Sequence, residues 1–553
     1  MRRIFLIGLG CLVLLFLGYA CFLSYSKSKE ARLIGMARRF INQSDERSAI
    51  LSLSEVLRMD PRNVEATRLM ADLADSDRQA NALLWRSRVI QLDPHSPIDL
   101  IALASSAMKA GDFALATNSL SQVGSTYQKT ASYQNDAGVL AITTHQPALA
   151  EAYFRQAVLL APNSLAPLLN YAVLRLHSTN LVAAGEARAT LIKIAGGTNA
   201  VFRCQALREL TADAYVHSQF DNALQLSRRL LAETNSEFTD RILQLDVLKQ
   251  VNQTDFIAAL DTCQNVAGQD PQCIFELATW EIKNIPPEKT LTWLCRLPPA
   301  TQSNQPVALL SAECRMLQGD WPGLDQSLRT QSWGDFEFVR HAFEARAFNG
   351  ENSPDGMTAE WNKALQSGGS GVKNLATLFQ LASQWNWPKE KENLLWLIVR
   401  SHPEEKWAAL ALINDLVASG RTQALMMFSA QQLQKDPSDI QAKNNLAMTA
   451  LLLNAKEENP FDLAQQVYEE NPTNISYAST YAFSLYLQNR SPEALKIFQQ
   501  FNQKDFEDPE VAGYYGIVLK ATSHPRRSKI YLEKAAQANL LLPEERKLFA
   551  GTP

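Results

Sequence analysis

At 553 residues the chain is long enough for several domains, and its 46% hydrophobic and 20% charged residues are those of a folded protein. Lys and Arg total 53 against 57 Asp and Glu, a formal charge of -4 with no long block of one sign. That balance argues against a nucleic-acid stripe and a polyacidic tail. Outside the apolar start, Cys204, Cys263, Cys273, Cys295 and Cys314 are odd in number, and the chain is too long to need staples, so they do not read as a disulfide framework.

The first segment differs from everything after it. Met1-Arg2-Arg3 precedes about twenty uncharged residues from Ile4 to Leu23, enough to cross a bilayer as a helix. An N-terminal transmembrane anchor over residues 1–25 is the expectation. A signal peptide cleaved near Gly18-Tyr19-Ala20 is the alternative. Cys21 raises lipidation, but Gly18 stands where a lipoprotein signal wants Leu. Lys27, Lys29, Arg32, Arg38 and Arg39 follow the run and by count favour a cytoplasmic domain. The basic tip before an apolar run is how export signals begin, so a single-pass membrane protein with an exported large domain is expected.

From residue 26 onward one pattern recurs. In Ala131–Pro162 two apolar faces are separated by His145-Gln146-Pro147, and Ala161-Pro162 closes the stretch. That describes two short helices folded into a hairpin. Small residues at Ala137, Gly138, Ala150 and Ala157 let the backbones approach, and Phe154 fills the space beyond. Turn residues then recur near Ser44, Asp77, Gly111, His145, Thr179, Ser218, Asn252 and Asn284. They continue near Gly319, Gly350, Trp385, Gly420, Asn454, Asn489 and Ser523, at a spacing of about thirty-four residues. Asp60-Pro61, Asp93-Pro94, His402-Pro403, Asp436-Pro437 and Asn471-Pro472 separate one hairpin from the next, because Pro ends one helix and fits the start of another.

This pattern resembles the tetratricopeptide repeat, with a small pair in the first helix, Ala–aromatic–Ala in the second and a late Pro. The resemblance is clearest over Ser44–Pro162 and Gln441–Phe501. It implies an all-α solenoid of about fifteen helix hairpins, wound as a right-handed superhelix whose first helices line a protein-binding groove. Residues 26–250 read as its N-terminal part and 408–553 as its C-terminal repeats and cap, with Leu541–Phe549 closing the array. Residues 251–407 read as degenerate repeats carrying nine of the ten Trp: 280, 293, 321, 333, 361, 385, 387, 396 and 407.

Catalytic and metal motifs are absent from the sequence. Gly368-Gly369-Ser370-Gly371-Val372-Lys373 lacks the Gly-Lys-Ser/Thr of a phosphate loop, and no HExxH, paired CxxC or GxSxG occurs. No cofactor, metal or enzymatic activity is expected. Cys263 and Cys273 flank a loop and either pair or remain buried thiols. Asn170 and Asn445 fall in first helices, on the face that the resemblance assigns to binding. Trp321, Trp385 and Trp387 fall on tips and are either core or stacking surfaces for a glycan or an aromatic peptide anchor. The expected function is a membrane-tethered, non-enzymatic scaffold for protein partners, with envelope assembly or export the process that the resemblance suggests. The alternative is ligand binding by the Trp-rich middle.

Overall fold

The computed structural model describes residues 25–43, 45–76, 81–268, 270–538 and 541–550. They form helices joined by short turns, and the chain divides between Lys283 and Asn284 into two compact units. The first unit holds seven antiparallel hairpins, from the helix at 25–42 paired with Glu46–Met59 to Phe238–Val251 paired with Gln253–Ala267. The helix Pro271–Asn284 follows. The second unit begins with Pro287–Leu294 and holds seven more hairpins, from Val307–Gln318 with Trp321–Arg329 to Pro509–Ala521 with Pro525–Ala536. The helix Pro543–Ala550 ends the described chain.

The turn chemistry explains the period. Gly111, Gly319 and Gly420 take φ of 78°, 70° and 68° at hairpin tips, where only a residue tolerant of the left-handed region fits. His145, Ser218, Asn386, Asn454, Asn489 and Ser523 occupy the same conformation. Proline at the first turn of Pro147–Leu160, Pro354–Gly368, Pro388–Ser401 and Pro525–Ala536 then starts the second helix where no N–H is needed. At two expected tips the turn residue is a neighbour: Asn352 rather than Gly350, and Asn386 rather than Trp385. Gly350 is the last residue of its helix, and a Cβ there would lie 2.2 Å from Trp321 Cδ2, so this glycine serves packing rather than turning. The expected tips at Ser44 and Asp77 lie outside the described residues.

The small residues do what a hairpin crossing requires. Ala150, Ala157 and Phe154 are buried, and a Cβ on Gly138 would come within 2.5 Å of the Phe154 ring. Within each unit, neighbouring first helices approach closely in most steps, as Ala131–Thr143 does with Leu165–Leu176 and Glu337–Gly350 with Val372–Gln384. Successive second helices do not come comparably close among the described residues. The first helices are therefore the inner layer.

The membrane expectation is corrected. Residues 4–23 lie outside the described residues, and no helix among those described is long and apolar enough to cross a membrane. A span takes about 20 predominantly apolar residues, whereas the helix at 25–42 carries Lys27, Lys29, Glu30, Arg32, Arg38 and Arg39, and the 17-residue Ala200–Val216 carries Arg203, Arg208, Glu209 and Asp213. The described residues form an all-α array of helix hairpins, and none of their helices supplies the transmembrane span expected from the sequence.

Candidate functional site

The inner layer is held in register by polar rungs between successive first helices. Arg68 makes a bidentate pair with Asp99, Nε to Oδ1 at 2.7 Å and Nη2 to Oδ2 at 2.5 Å. Arg208 pairs with Asp240 in the same way at 2.5 and 2.9 Å. Trp280 Nε1 donates to Asp246 at 2.8 Å, and Thr480 Oγ1 donates to the buried Asn444 at 2.8 Å. Asp99 and Asp240 are only 2% and 1% exposed, so each guanidinium neutralises a carboxylate that burial would otherwise penalise. Sequence reasoning missed these rungs. Only the two Arg–Asp rungs share a sequence form, an Arg followed about one repeat later by an Asp near the next helix's start.

Asn170 is such a rung: its Nδ2 donates to Asn135 Oδ1 on the preceding first helix at 2.9 Å, and Asn135 donates in turn to Asp136 at 3.2 Å. Burial pushes the Asp136 carboxyl up to about 6, against the Asn135 hydrogen bond and the Lys109 charge that act to lower it. Asn445, in the second unit, is half-buried and accepts from Gln441 Nε2 of its own helix at 3.0 Å. The buried structural amide at that point is its neighbour Asn444.

Trp361, Trp387 and Trp385 make a continuous aromatic chain with Phe343. Trp385 meets Phe343 at 5.4 Å and Trp387 at 5.1 Å, both edge to face, and Trp387 meets Trp361 at 5.4 Å. Trp385 and Trp387 are 8% and 7% exposed. Trp321 is half-buried beside Gly350, and the Arg346 guanidinium lies 5.3 Å from its ring and 6.0 Å from that of Trp387. Burial pulls Arg346 below its ordinary basicity. The two rings face a cation here instead of a carboxylate.

A cleft of about 470 Å³ opens on this chain, lined by three successive first helices: Val307–Gln318, Glu337–Gly350 and Val372–Gln384. Leu309, Met316, Phe338, Val339, Leu381 and Trp385 make its apolar wall. Lys373, Asn374, Asp335 and Gln384 stand among them, and Phe336 is 50% exposed there. Asn374 is committed to the Gly368 carbonyl at 3.0 Å. An apolar wall with a few polar groups is the usual make-up of a binding cleft. Of the three tip tryptophans, the structure places only Trp385 at this cleft.

Among the described residues one group could hold a metal, His341 with Glu344 and Glu360. Its ligand groups are already engaged: Arg340 bonds Glu344 at 3.0 Å and Glu337 at 2.6 Å, Lys363 bonds Glu360 at 2.7 Å, and His341 Nδ1 lies 2.8 Å from Glu360. It is a satisfied ion-pair network. Cys263 and Cys273 are free, and burial pushes the Cys263 thiol up to about 11, which leaves it protonated and unreactive.

No protein-family profile and no curated protein matches the chain. Solved structures do. A tetratricopeptide repeat protein from Parabacteroides merdae is 14% identical, covering 48% of this chain and 98% of its own, with a TM-score of 0.34. Pseudomonas aeruginosa pilF is 17% identical over 40% of this chain and 98% of its own, with a TM-score of 0.32. Naa15/Naa10 bound to HypK-THB is 10% identical over 94% of this chain and 96% of its own, with a TM-score of 0.29. At these scores the architecture rests on the hairpins themselves.

Proposed function

We propose that this chain is a non-enzymatic scaffold of tetratricopeptide type that binds partner proteins on its inner layer of first helices. The observation that carries the reading is the cleft, because it spans three successive first helices and is apolar where a soluble surface is normally mixed. A partner would place an aromatic or leucine side chain against Phe338, Leu381 and Trp385, with Lys373 and Asp335 at hand for a polar backbone or a charged neighbour. Asn170 and Asn445 lie on first helices of the first and the second unit respectively: the first sets spacing between helices, and the second is the more available for contact.

Isolation of bound proteins with wild-type chain and with Phe336→Asp and Lys373→Glu variants tests this. A partner held by wild type and lost from both folded variants supports the reading. A partner set unchanged by either variant, with the cleft disabled, counts against it.

A second reading takes the same cleft as a glycan or small-ligand site, favoured by the edge of Trp385 in its wall. Trp fluorescence should then change on titration with a glycan panel. An unchanged spectrum throughout would exclude that reading while leaving the first intact.

A further inference from the structure

The helix Pro543–Ala550 is not a simple end cap. A cap that merely closed the array would touch the last hairpin, Pro509–Ala521 with Pro525–Ala536. This one touches that hairpin and others far earlier in the chain. Thr422 Oγ1 donates to Glu544, across 122 positions of sequence. Pro543 sits against the tip at Gly420, where a Cβ would come within 2.8 Å of its Cγ. Leu542 joins the core cluster that includes Leu425 and Phe428, and the helix also packs on Ile440–Leu453.

Its contacts combine buried hydrogen bonds with aromatic packing. Glu545, 3% exposed, accepts from the wholly buried Tyr514 hydroxyl at 2.6 Å and from the Leu542 N–H at 2.9 Å. Phe549 lies edge to face on Tyr514 at 5.1 Å, over Gly513, whose missing Cβ leaves the room. Leu541, Leu542, Glu545 and Phe549 form one buried stripe with helical spacing. The face is only partly filled. A space of about 750 Å³ remains beside the helix, bounded by Phe461, Phe483 and Leu487 on the hairpins and by Lys547 and Leu548 on the helix.

We propose that the last four hairpins are a second docking surface, and that Pro543–Ala550 is a built-in occupant displaced by a partner's helix. The partner helix carries the same stripe, two adjacent leucines, a glutamate three positions on and a phenylalanine four beyond that, and is long enough to fill the remaining space. The tethered segment competes at an effective concentration of about 1 mM, so only a partner with better complementarity displaces it. The inference rests on the protein-binding reading above but concerns a different surface.

The test uses the full chain and a fluorescent synthetic peptide with the sequence Leu541–Ala550, followed by anisotropy. Wild type, its surface already occupied, should bind the peptide at least about tenfold more weakly than the Leu542→Ala/Phe549→Ala variant. Adding Tyr514→Phe to that variant should weaken peptide binding about tenfold, through the lost bond to a buried carboxylate. Thr422→Val, which removes only the Glu544 contact, gives a gentler opening and should raise peptide binding a few-fold in a chain that stays folded. In wild type, amides of 543–550 should exchange faster than those of 509–536. Absence of peptide binding to both opened variants, or exchange of the two segments in one step, would overturn the proposal. A chain that captures a partner through the Lys373 cleft and still ignores the peptide would sink this inference alone.

Discussion

Asp136→Asn should stabilise the chain, although it removes a charge from a helix in the middle of the first unit. The gap between about 6 and the ordinary 3.8 corresponds to about 3 kcal/mol at about 1.36 kcal/mol per pH unit. Because Asp136 is part-buried rather than sealed, solvent screening reduces the expected effect to about 1–2 kcal/mol. The sign follows from proton binding. Folding raises the pKa, so the folded chain keeps a proton that the unfolded chain has released, and stability falls as pH rises from 3.8 to about 6. Above that range the whole cost remains. Asn can still accept the Asn135 hydrogen bond and carries no charge to desolvate. Since a repeat array opens locally, hydrogen exchange of amides in 131–160 is the suitable assay. The variant should gain about 1–2 kcal/mol of local stability at pH 7.5 and about a third of that at pH 4.5. An equal gain at both pH values, or a loss at pH 7.5, would refute the reasoning.

Other substitutions probe the remaining layers. Arg208→Ala leaves the Asp240 carboxylate, 1% exposed, without its cation, and should cost about 3 kcal/mol in local unfolding around 200–251. Gly350→Ala drives a methyl into the Trp321 ring; after the gain in helix propensity it should still cost about 1–2 kcal/mol. Gly185→Ala, with nothing within 4 Å of the new methyl, should instead gain about 0.5–1 kcal/mol, and thermal melts of the two separate crowding from propensity. Burial pushes Glu545 above its ordinary 4.5, and Glu544 and Asp508 add repulsion, with Glu510 also facing it. Its contribution to docking the last helix is therefore fully present below pH 4.5 and is lost as pH rises through the raised value. Exchange protection of 543–550 should fall along that course, and protection that grows with pH would contradict it.

The hairpin period was legible because turn chemistry is local. Gly111, His145, Ser218, Asn489 and Ser523 declare their tips through residues that tolerate positive φ, and the prolines mark helix starts. Gly350 misled for a physical reason, since a glycine needed for close packing looks in sequence like one needed for a turn. The inter-helix rungs were invisible because each links residues about one repeat apart that nothing local connects. The cleft lies within the Trp-rich stretch, but which tryptophan edges reach its wall is decided by packing among Phe343, Trp385 and Trp387. The Leu541–Phe549 segment read as a cap, and its reach to Thr422 could not be seen from spacing. The apolar run at the start suggested a span by length alone, and no helix among the described residues supplies one.

The most direct measurement is site-specific photocrosslinking in cells, with the photoreactive residue placed either at Thr377 in the cleft or at Leu397 on the second-helix layer, 41% exposed. A cleft that binds a partner should give a discrete adduct from position 377 that disappears with Lys373→Glu, and none from position 397. Equal adducts from both positions, or a clean negative at 377 in well-expressed folded chain, would contradict it.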